Sequence, residues 1–312
     1  MPFRSGFVCI LGKLNAGKST LLNALAGEKL AIVSPKPQTT RNRVLGVIHI
    51  PKTKGRSGAQ VVLIDTPGVH RADTSLGKKM MAEVREALSG CDLVLVIVDA
   101  MRKKDADDQS LFRLIEKSKT PVFLLLNKID LLREKGALLP LIEEQAKLHV
   151  FREVIPISAR KGDGLEVLLQ KVVAALPAGP PYFPEDQITD QPARFMVSEL
   201  IREQVLLNTA EEVPHSVTVL TEQYEELPKL TRIAAAIFCE REGQKRILVG
   251  RQGQMLKKIG TAARLEIEKM LGTKVYLELF VKVRANWREA RGFVEELDWR
   301  RQLEHLVTQG TK

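Results

Sequence analysis

Cysteine is scarce in this sequence, which has only three in 312 residues. Cys9, Cys91 and Cys239 lie far apart and form no CxxC pair, so the sequence indicates neither a disulfide framework nor a zinc site. A reducing compartment such as the cytosol is the simplest interpretation of this usage.

Long apolar runs are also missing. The longest, such as Leu93–Val98 and Val122–Leu126, fall far short of the ~20 residues that a transmembrane helix requires. A strand-like segment follows Met1 almost directly, so we expect no signal peptide. The chain is therefore not expected to cross a membrane, whereas attachment to a membrane surface stays open.

Positive charge exceeds negative charge by 10. This balance favours a polyanionic partner, such as nucleic acid or a membrane surface, although a basic surface that only confers solubility fits equally well. The length predicts two domains rather than one.

Short apolar strands alternate with helical patterns over residues 1–176, which predicts an α/β domain with a mostly parallel sheet. Residues 176–192 contain five prolines, and we interpret 177–192 as a linker. Residues 193–312 form the second predicted domain: a helix, two strands, a glycine-containing loop, a helix and a strand, with a last helix from about Trp287. Its charge changes from −4 over residues 191–240 to +8 over residues 241–294.

Gly12–Ser19 reads GKLNAGKS and fits the phosphate-binding pattern G-x-x-x-x-G-K-[ST] between a strand and a helix. Backbone N–H groups of such a loop surround phosphate oxygens. We expect Lys18 to contact the β- and γ-phosphates and Ser19 to bind Mg²⁺. The predicted phosphate-site residues are Gly12, Asn15, Ala16, Gly17, Lys18, Ser19 and Thr20.

Asn127–Asp130 reads NKID and follows an apolar strand. A carboxylate such as Asp130 accepts hydrogen bonds from guanine N1–H and the 2-amino group, which adenine lacks there. Alone, this tetrapeptide fits any surface turn; after a phosphate loop it favours GTP over ATP. The predicted base pocket contains Asn127, Lys128, Asp130, Ser158 and Ala159.

Asp65–Gly68 reads DTPG and follows another strand. Asp65 is suited to hold Mg²⁺ through water, and the Gly68 N–H is suited to meet the γ-phosphate. Thr40, in the polar stretch Pro37–Arg41, is suited to close over both and to release after hydrolysis. The predicted catalytic residues are Lys18, Thr40 and Gly68, and the predicted metal ligands are Ser19, Thr40 and Asp65.

The order of these motifs resembles that of the translation-factor-related GTPases. Ras-type members place a glutamine just after DxxG to orient the attacking water, and this chain has Val69 there. Hydrolysis is therefore slow or is stimulated from elsewhere. Asn15 resembles a potassium ligand of other GTPases that lack the glutamine; the alternative is that Asn15 only braces the loop.

Gly250–Gly253 reads GRQG and precedes a basic helix. A GxxG loop is common by itself, but with the surrounding order of elements it predicts an α+β type II KH domain that binds single-stranded RNA. Trp287 and Trp299 either stack on bases or pack in the interior. The predicted RNA-binding residues are Lys245, Arg246, Gly250, Arg251, Gln252, Gly253, Lys257 and Lys258.

The whole chain resembles the Era family, bacterial GTPases with a C-terminal KH domain. The resemblance is carried by Pro35–Arg41, Asp65–His70, the NKID motif and Glu240–Gly260. Leu14 stands where many members have proline, a conservative change in the loop.

The resemblance implies GTP, GDP and Mg²⁺ as ligands, with K⁺ as a further candidate. It also implies binding to the 3′ end of small-subunit ribosomal RNA next to its anti-Shine–Dalgarno segment, and a role in assembly and RNA maturation of the 30S ribosomal subunit. We expect a cytoplasmic monomer with peripheral contact to the inner face of the membrane. Two alternatives stay open: an RNA chaperone that uses nucleotide only as a brace, and an RNA-remodelling ATPase.

Overall fold

A computed structural model describes residues 2–53, 57–69, 72–101, 107–116, 118–134, 136 and 138–301. His70, part of one of the stretches that resemble the Era family, lies outside these residues. The chain divides into two compact units, and the first contains residues 1–31, 40–71 and 79–190. The second contains residues 32–39, 72–78 and 191–312.

A six-stranded sheet with the order β2-β3-β1-β4-β5-β6 forms the centre of the first unit. Only β2 is antiparallel to its neighbour, so the expected mostly parallel sheet is confirmed. The strands are β1 (Arg4–Gly12), β2 (Val44–Ile50), β3 (Ala59–Asp65), β4 (Leu93–Asp99), β5 (Val122–Asn127) and β6 (Glu153–Pro156). The α-helices that connect or follow them are α1 (Lys18–Ala26), α2 (Ser75–Ser89), α3 (Asp107–Arg113), α4 (Leu138–Ala146) and α5 (Leu165–Ala175).

Both faces of the central strands are buried, because helices pack on each face of the sheet. Successive side chains of a strand point to opposite faces, so all side chains of a central strand are covered. On one face, Val8 and Ile10 pack in a cluster with Leu21 of α1 and Leu168 of α5. On the other, Cys9 packs with Ile64 of β3 and with Ala87 of α2. This double burial explains the near-continuous apolar strand sequences.

The proline-rich stretch expected to be a linker packs largely on the first unit, where residues up to 190 belong. The buried Gln60 side chain holds it: its Oε1 accepts from Tyr182 N–H at 2.6 Å and Phe183 N–H at 3.0 Å. Its Nε2 donates to the Phe183 carbonyl at 2.7 Å. Side-chain hydrogen bonds therefore fix this stretch, here called the strap, to the first unit.

The second unit contains a three-stranded sheet with the order β7-β8-β9, in which β7 is antiparallel and β9 parallel to β8. Its strands are β7 (Thr218–Leu227), β8 (Leu230–Cys239) and β9 (Lys274–Val283). Its helices are α6 (Ala193–Asn208), α7 (Val213–Ser216), α8 (Glu242–Val249), α9 (Gln254–Leu271) and α10 (Arg291–Glu296). Residues of α6 and α9 pack with the sheet in one apolar cluster.

Two sequence expectations for this unit were wrong in detail. The expected order places the glycine-containing loop directly after two strands, but α8 lies between the strands and the loop, and Gln244 Oε1 caps this helix by accepting from the Glu240 and Arg241 N–H groups. The last described helix begins at Arg291 and not near Trp287, whose indole is fully buried and donates to the Ser216 carbonyl at 2.8 Å. Trp299 is also buried, so both tryptophans pack in the interior.

Among the described residues, the structure has no helix that combines the length and the apolar character needed to span a bilayer.

Candidate functional site

Four parallel strands end at one edge of the first sheet. Their last residues are Gly12, Asp65, Asp99 and Asn127, of β1, β3, β4 and β5. Ligands of open α/β sheets bind at such a carboxyl edge. The topology therefore brings together motifs that are more than 100 residues apart in the sequence.

The predicted phosphate loop turns sharply between β1 and α1. Asn15 and Gly17 have positive φ values of 59° and 102°. A Cβ at Gly17 would lie only 2.2 Å from Nδ2 of Asn127, and a Cβ at Gly12 would lie 2.6 Å from the Ile97 carbonyl oxygen. Close approach of neighbouring groups, as well as the backbone turn, thus requires these two glycines.

Lys18 lies at the start of α1 with its ammonium group buried beneath the loop. Its Nζ donates to the carbonyl oxygens of Lys13 at 2.8 Å and Gly12 at 3.2 Å. Burial lowers the pKa of Lys18 to about 8, partly offset by the nearby Asp65 carboxylate. An anion at the loop would favour the charged ammonium form.

Three predicted metal ligands meet at the end of β3. Oγ of Ser19 lies 2.6 Å from Oδ2 of Asp65 and 2.7 Å from Oγ1 of Thr40, and Oγ1 of Thr40 lies 3.3 Å from the same carboxylate oxygen. Burial raises the pKa of Asp65 to about 6, against the lowering effects of Lys18 and of the two hydroxyl groups. Oδ1 of Asp65 is buried and has no hydrogen-bond partner among the described residues.

These groups fit a Mg²⁺–nucleotide complex. Mg²⁺ prefers oxygen ligands, and the cluster offers two hydroxyls and a carboxylate with an unused oxygen. A cation there would stabilise the ionised form of Asp65, and phosphates would stabilise the charged form of Lys18.

Gly68 packs directly against the phosphate loop: a Cβ there would lie 2.9 Å from the Leu14 backbone nitrogen. The next residue, Val69, is buried and donates its N–H to the Gly12 carbonyl at 3.1 Å. An apolar side chain in this position cannot orient a water molecule by hydrogen bonding, as the sequence predicted.

Asn127 joins three of the predicted motifs. Its Nδ2 donates to the Ala16 carbonyl at 2.9 Å, and its Oδ1 accepts from the Ala159 N–H at 3.0 Å. Ser158 donates its hydroxyl to Asp130 Oδ1 at 2.6 Å. The residues predicted to form the base pocket are therefore brought together, with Asn127 serving as the brace between loops.

Sequence reasoning missed Asp99. Its Oδ2 accepts from Nζ of Lys128 at 2.7 Å and orients that side chain, whose backbone has a φ of 68°. An aspartate at the end of an apolar strand next to the NKID strand was the available signal.

The second unit has a groove of about 390 Å³ between α9 and β9. Of the predicted RNA-binding residues, Gly253 and Lys257 line it, and Lys258 lines a neighbouring depression on α9. Gly250 and Gly253 have φ values of 73° and 79°, and space around Gly253 is open, whereas a Cβ at Gly250 would lie 2.7 Å from the Met255 Cβ. Lining residues that the sequence reasoning missed are Leu256, Gly260, Thr261, Arg264, Leu277 and Leu279.

The sequence spacing of the groove-lining residues could have indicated them, since residues three or four apart share one helix face and alternate residues share one strand face. Gly260 allows the backbone of α9 to lie close to β9, because a Cβ there would lie 3.3 Å from the Leu279 side chain. Lys245 and Arg246 lie on α8 and do not line the groove.

Comparison with known proteins finds one matching family for each of the two compact units. Residues 7–128 match the family described as 50S ribosome-binding GTPase, and residues 212–288 match the KH domain. The chain is 49% identical to GTPase Era of Geobacter metallireducens over 300 residues, covering 96% of this chain and 98% of that protein. The chain belongs to the Era family of GTPases.

Other Era proteins are similarly close. Identity to GTPase Era of Ruminiclostridium cellulolyticum is 45%, covering 96% of this chain and 99% of that protein. A crystal structure of Era with MgGDPNP and nucleotides 1506–1542 of 16S ribosomal RNA matches with a TM-score of 0.90 at 41% identity, covering 94% of this chain and 98% of that one. A variant of Aquifex aeolicus Era bound to GDP and aluminium fluoride matches with a TM-score of 0.89, with the same identity and coverage.

The buried Asp65 carboxyl predicts a pH dependence of stability in the protein without nucleotide. Its folded-state pKa of about 6 exceeds the ordinary value of 3.8, so its contribution to stability is present below that ordinary value and is lost as the pH rises to about 6. Asp65→Asn removes this loss. We expect its free energy of unfolding to gain on the order of 2 kcal/mol relative to wild type between pH 4 and pH 7.

Urea unfolding of both proteins without Mg²⁺ or nucleotide measures this difference. In wild type the Lys18 ammonium has a pKa of about 8 and titrates above this window. If the free energies of unfolding of the two proteins changed in parallel from pH 4 to pH 7, the raised pKa of Asp65 would be contradicted.

Proposed function

We propose that this chain is a GTP-hydrolysing switch that binds the 3′ end of small-subunit ribosomal RNA and assists maturation of the 30S subunit. The observation that carries the proposal is the match, over 94% of the chain, to an Era structure with both MgGDPNP and a 16S ribosomal RNA segment bound. A phosphate loop and a GxxG groove on one chain are consistent with both ligands.

In this proposal Lys18 binds the β- and γ-phosphates, and Ser19, Thr40 and Asp65 hold Mg²⁺. When bound, Mg²⁺ supplies positive charge that offsets the charge developing on the transferred phosphoryl group. The Gly68 N–H donates to the γ-phosphate. Asp130 accepts from the guanine base, with its carboxylate oriented by the Ser158 hydroxyl at 2.6 Å.

The active site lacks a side chain at position 69 that could orient the attacking water, so intrinsic turnover is slow. We assign to Asn15, at the exposed turn of the phosphate loop, the binding of a monovalent cation. A cation there would add positive charge near the β- and γ-phosphates without a glutamine.

Turnover measured in potassium and in sodium tests this assignment. We expect faster hydrolysis in potassium and loss of that difference in Asn15→Ala, with GDP affinity unchanged. Equal rates in the two salts would contradict the assignment. Negligible turnover in both would favour the second candidate function, an RNA chaperone that uses nucleotide only as a brace, which the buried Val69 supports.

On the RNA side, the groove between α9 and β9 holds a single strand, and Gly250–Gly253 contacts its backbone. Two glycines with positive φ let phosphates approach closely, and the lysines of α9 add positive charge. The family resemblance also supports assembly with the 30S subunit, residence in the cytoplasm and contact with the inner face of the membrane. Ribosome co-sedimentation tests the first of these, and cell fractionation tests the other two.

The decisive experiment measures binding of the whole chain to a short single-stranded RNA from the 3′ end of small-subunit ribosomal RNA, with GTP analogue and with GDP. We expect tighter binding with the GTP analogue. Gly253→Asp should reduce affinity at least about tenfold, because the new carboxylate repels the RNA backbone and the side chain is strained at a φ of 79°.

Gly292→Asp is the matched control, because Gly292 is exposed on α10, has open space around it and receives the same added charge. It should bind RNA like wild type. Weak RNA binding in every nucleotide state would contradict the proposed RNA target and leave the fold assignment intact.

A further inference from the structure

The chain passes from one compact unit to the other between Thr39 and Thr40. Residues 32–39 make their contacts in the second unit, and Thr40 belongs to the first. Thr40 is also the residue whose hydroxyl contacts Ser19 and Asp65. The position of this hydroxyl therefore depends on a segment that the second unit holds.

Three contacts anchor that segment to α6 and its surroundings. Ile32 is buried in the apolar cluster of the second unit. The Val33 N–H donates to Oε1 of Glu203 at 2.9 Å. At the other end of the segment, Nη2 of Arg202 donates to the Thr39 carbonyl. Adjacent residues of one helix thus hold the two ends.

Hydrogen bonds inside the segment connect its ends. Oγ of Ser34 lies 2.8 Å from Oγ1 of Thr39 and accepts from the Lys36 N–H at 3.1 Å. The Thr39 hydroxyl also lies 2.7 Å from the Lys36 carbonyl oxygen. Because these hydrogen bonds join Ser34 and Lys36 to Thr39, displacement of one end of the segment displaces the other.

Stability alone does not explain the arginine. The Arg202 side chain is 1% exposed, is paired with Glu199 at 2.6 Å, and leaves Nη1 without a hydrogen-bond partner among the described residues. Replacing both members of a buried ion pair with apolar residues is often neutral or stabilising, whereas removing only one member leaves the other charge uncompensated. What an apolar residue cannot provide is a donor fixed at the Thr39 carbonyl.

We infer that Arg202 and Glu203 are positioning residues for the nucleotide site, which fix Thr40 relative to Ser19 and Asp65 by holding both ends of the segment 32–39. The inference rests on the proposed function of Thr40 as a ligand of Mg²⁺ and the γ-phosphate. It makes α6 the element through which the second unit senses which nucleotide is bound.

The two nucleotides should respond differently to loss of these contacts. Thr40 gains its γ-phosphate contact only with the triphosphate, so loosening Thr40 weakens GTP-analogue binding and leaves GDP binding largely unchanged. Coupling between binding sites is reciprocal, so the same change should reduce the effect of nucleotide on RNA affinity.

The test uses the whole chain with Mg²⁺ and compares affinities for a non-hydrolysable GTP analogue and for GDP. Arg202→Met keeps the aliphatic stem and removes the donor. We expect it to weaken GTP-analogue binding about tenfold, with GDP affinity within about twofold of wild type. Glu203→Leu, which removes the acceptor for the Val33 N–H, should act in the same direction, and Glu203→Gln, which keeps an accepting oxygen, should restore binding.

Arg194→Met is the matched control. Arg194 lies on the same helix and donates to backbone carbonyls, those of Thr221 and Glu222, but not to the segment 32–39. Thermal unfolding of each variant separates lost positioning from lost folding, and Glu203→Leu decides the question where Arg202→Met does not fold.

An unchanged ratio of the two affinities in Arg202→Met and Glu203→Leu would overturn the inference. So would an equal change in Arg194→Met. Failure of the wild-type chain to bind either nucleotide would instead overturn the proposed function on which the inference rests.

Discussion

Two buried opposite charges determine what the first unit can bind. Lys18 and Asp65 lie at the carboxyl edge of the sheet, where burial lowers the pKa of the ammonium to about 8 and raises that of the carboxyl to about 6. Their attraction to each other only partly offsets the loss of hydration. A polyanion at Lys18 and a cation at Asp65 would stabilise the charged forms of both groups. The glycines of the loop above Lys18 and the two hydroxyl groups beside the carboxylate fit such ligands.

The second unit contains the groove between α9 and β9 and holds the segment 32–39, which leads to Thr40. Arg202 and Glu203 of α6 contact the ends of this segment, and α6 packs in the same apolar cluster as α9, which carries the groove. Nucleotide state and RNA binding can thus affect each other through packed helices. The strength of that coupling is set by how tightly the segment 32–39 is held, which depends on a few buried polar contacts.

Much of the fold and of the nucleotide site could be predicted from the sequence, because their signals are local. Buried parallel strands read as apolar runs, and the phosphate loop, DTPG and NKID are short motifs at strand ends. Features fixed by distant contacts could not be predicted: Gln60 holding the strap near Phe183, Asp99 orienting Lys128, and the groove residues of β9. Helix α8 was missed because its apolar residues look strand-like and its cap depends on the Gln244 side chain rather than on a Ser or Asp.

We expect the buried Asp65 carboxyl to lose its proton when Mg²⁺ binds together with guanine nucleotide. Calorimetric titration tests this proton release. The whole chain is titrated with a GTP analogue at pH 6, with and without Mg²⁺, in two buffers of different ionisation enthalpy. We predict Mg²⁺-dependent binding with release of a fraction of a proton, because Asp65 has a pKa of about 6 before binding and is ionised once the cation is bound. Equal affinity without Mg²⁺, together with an enthalpy that does not depend on the buffer, would contradict it.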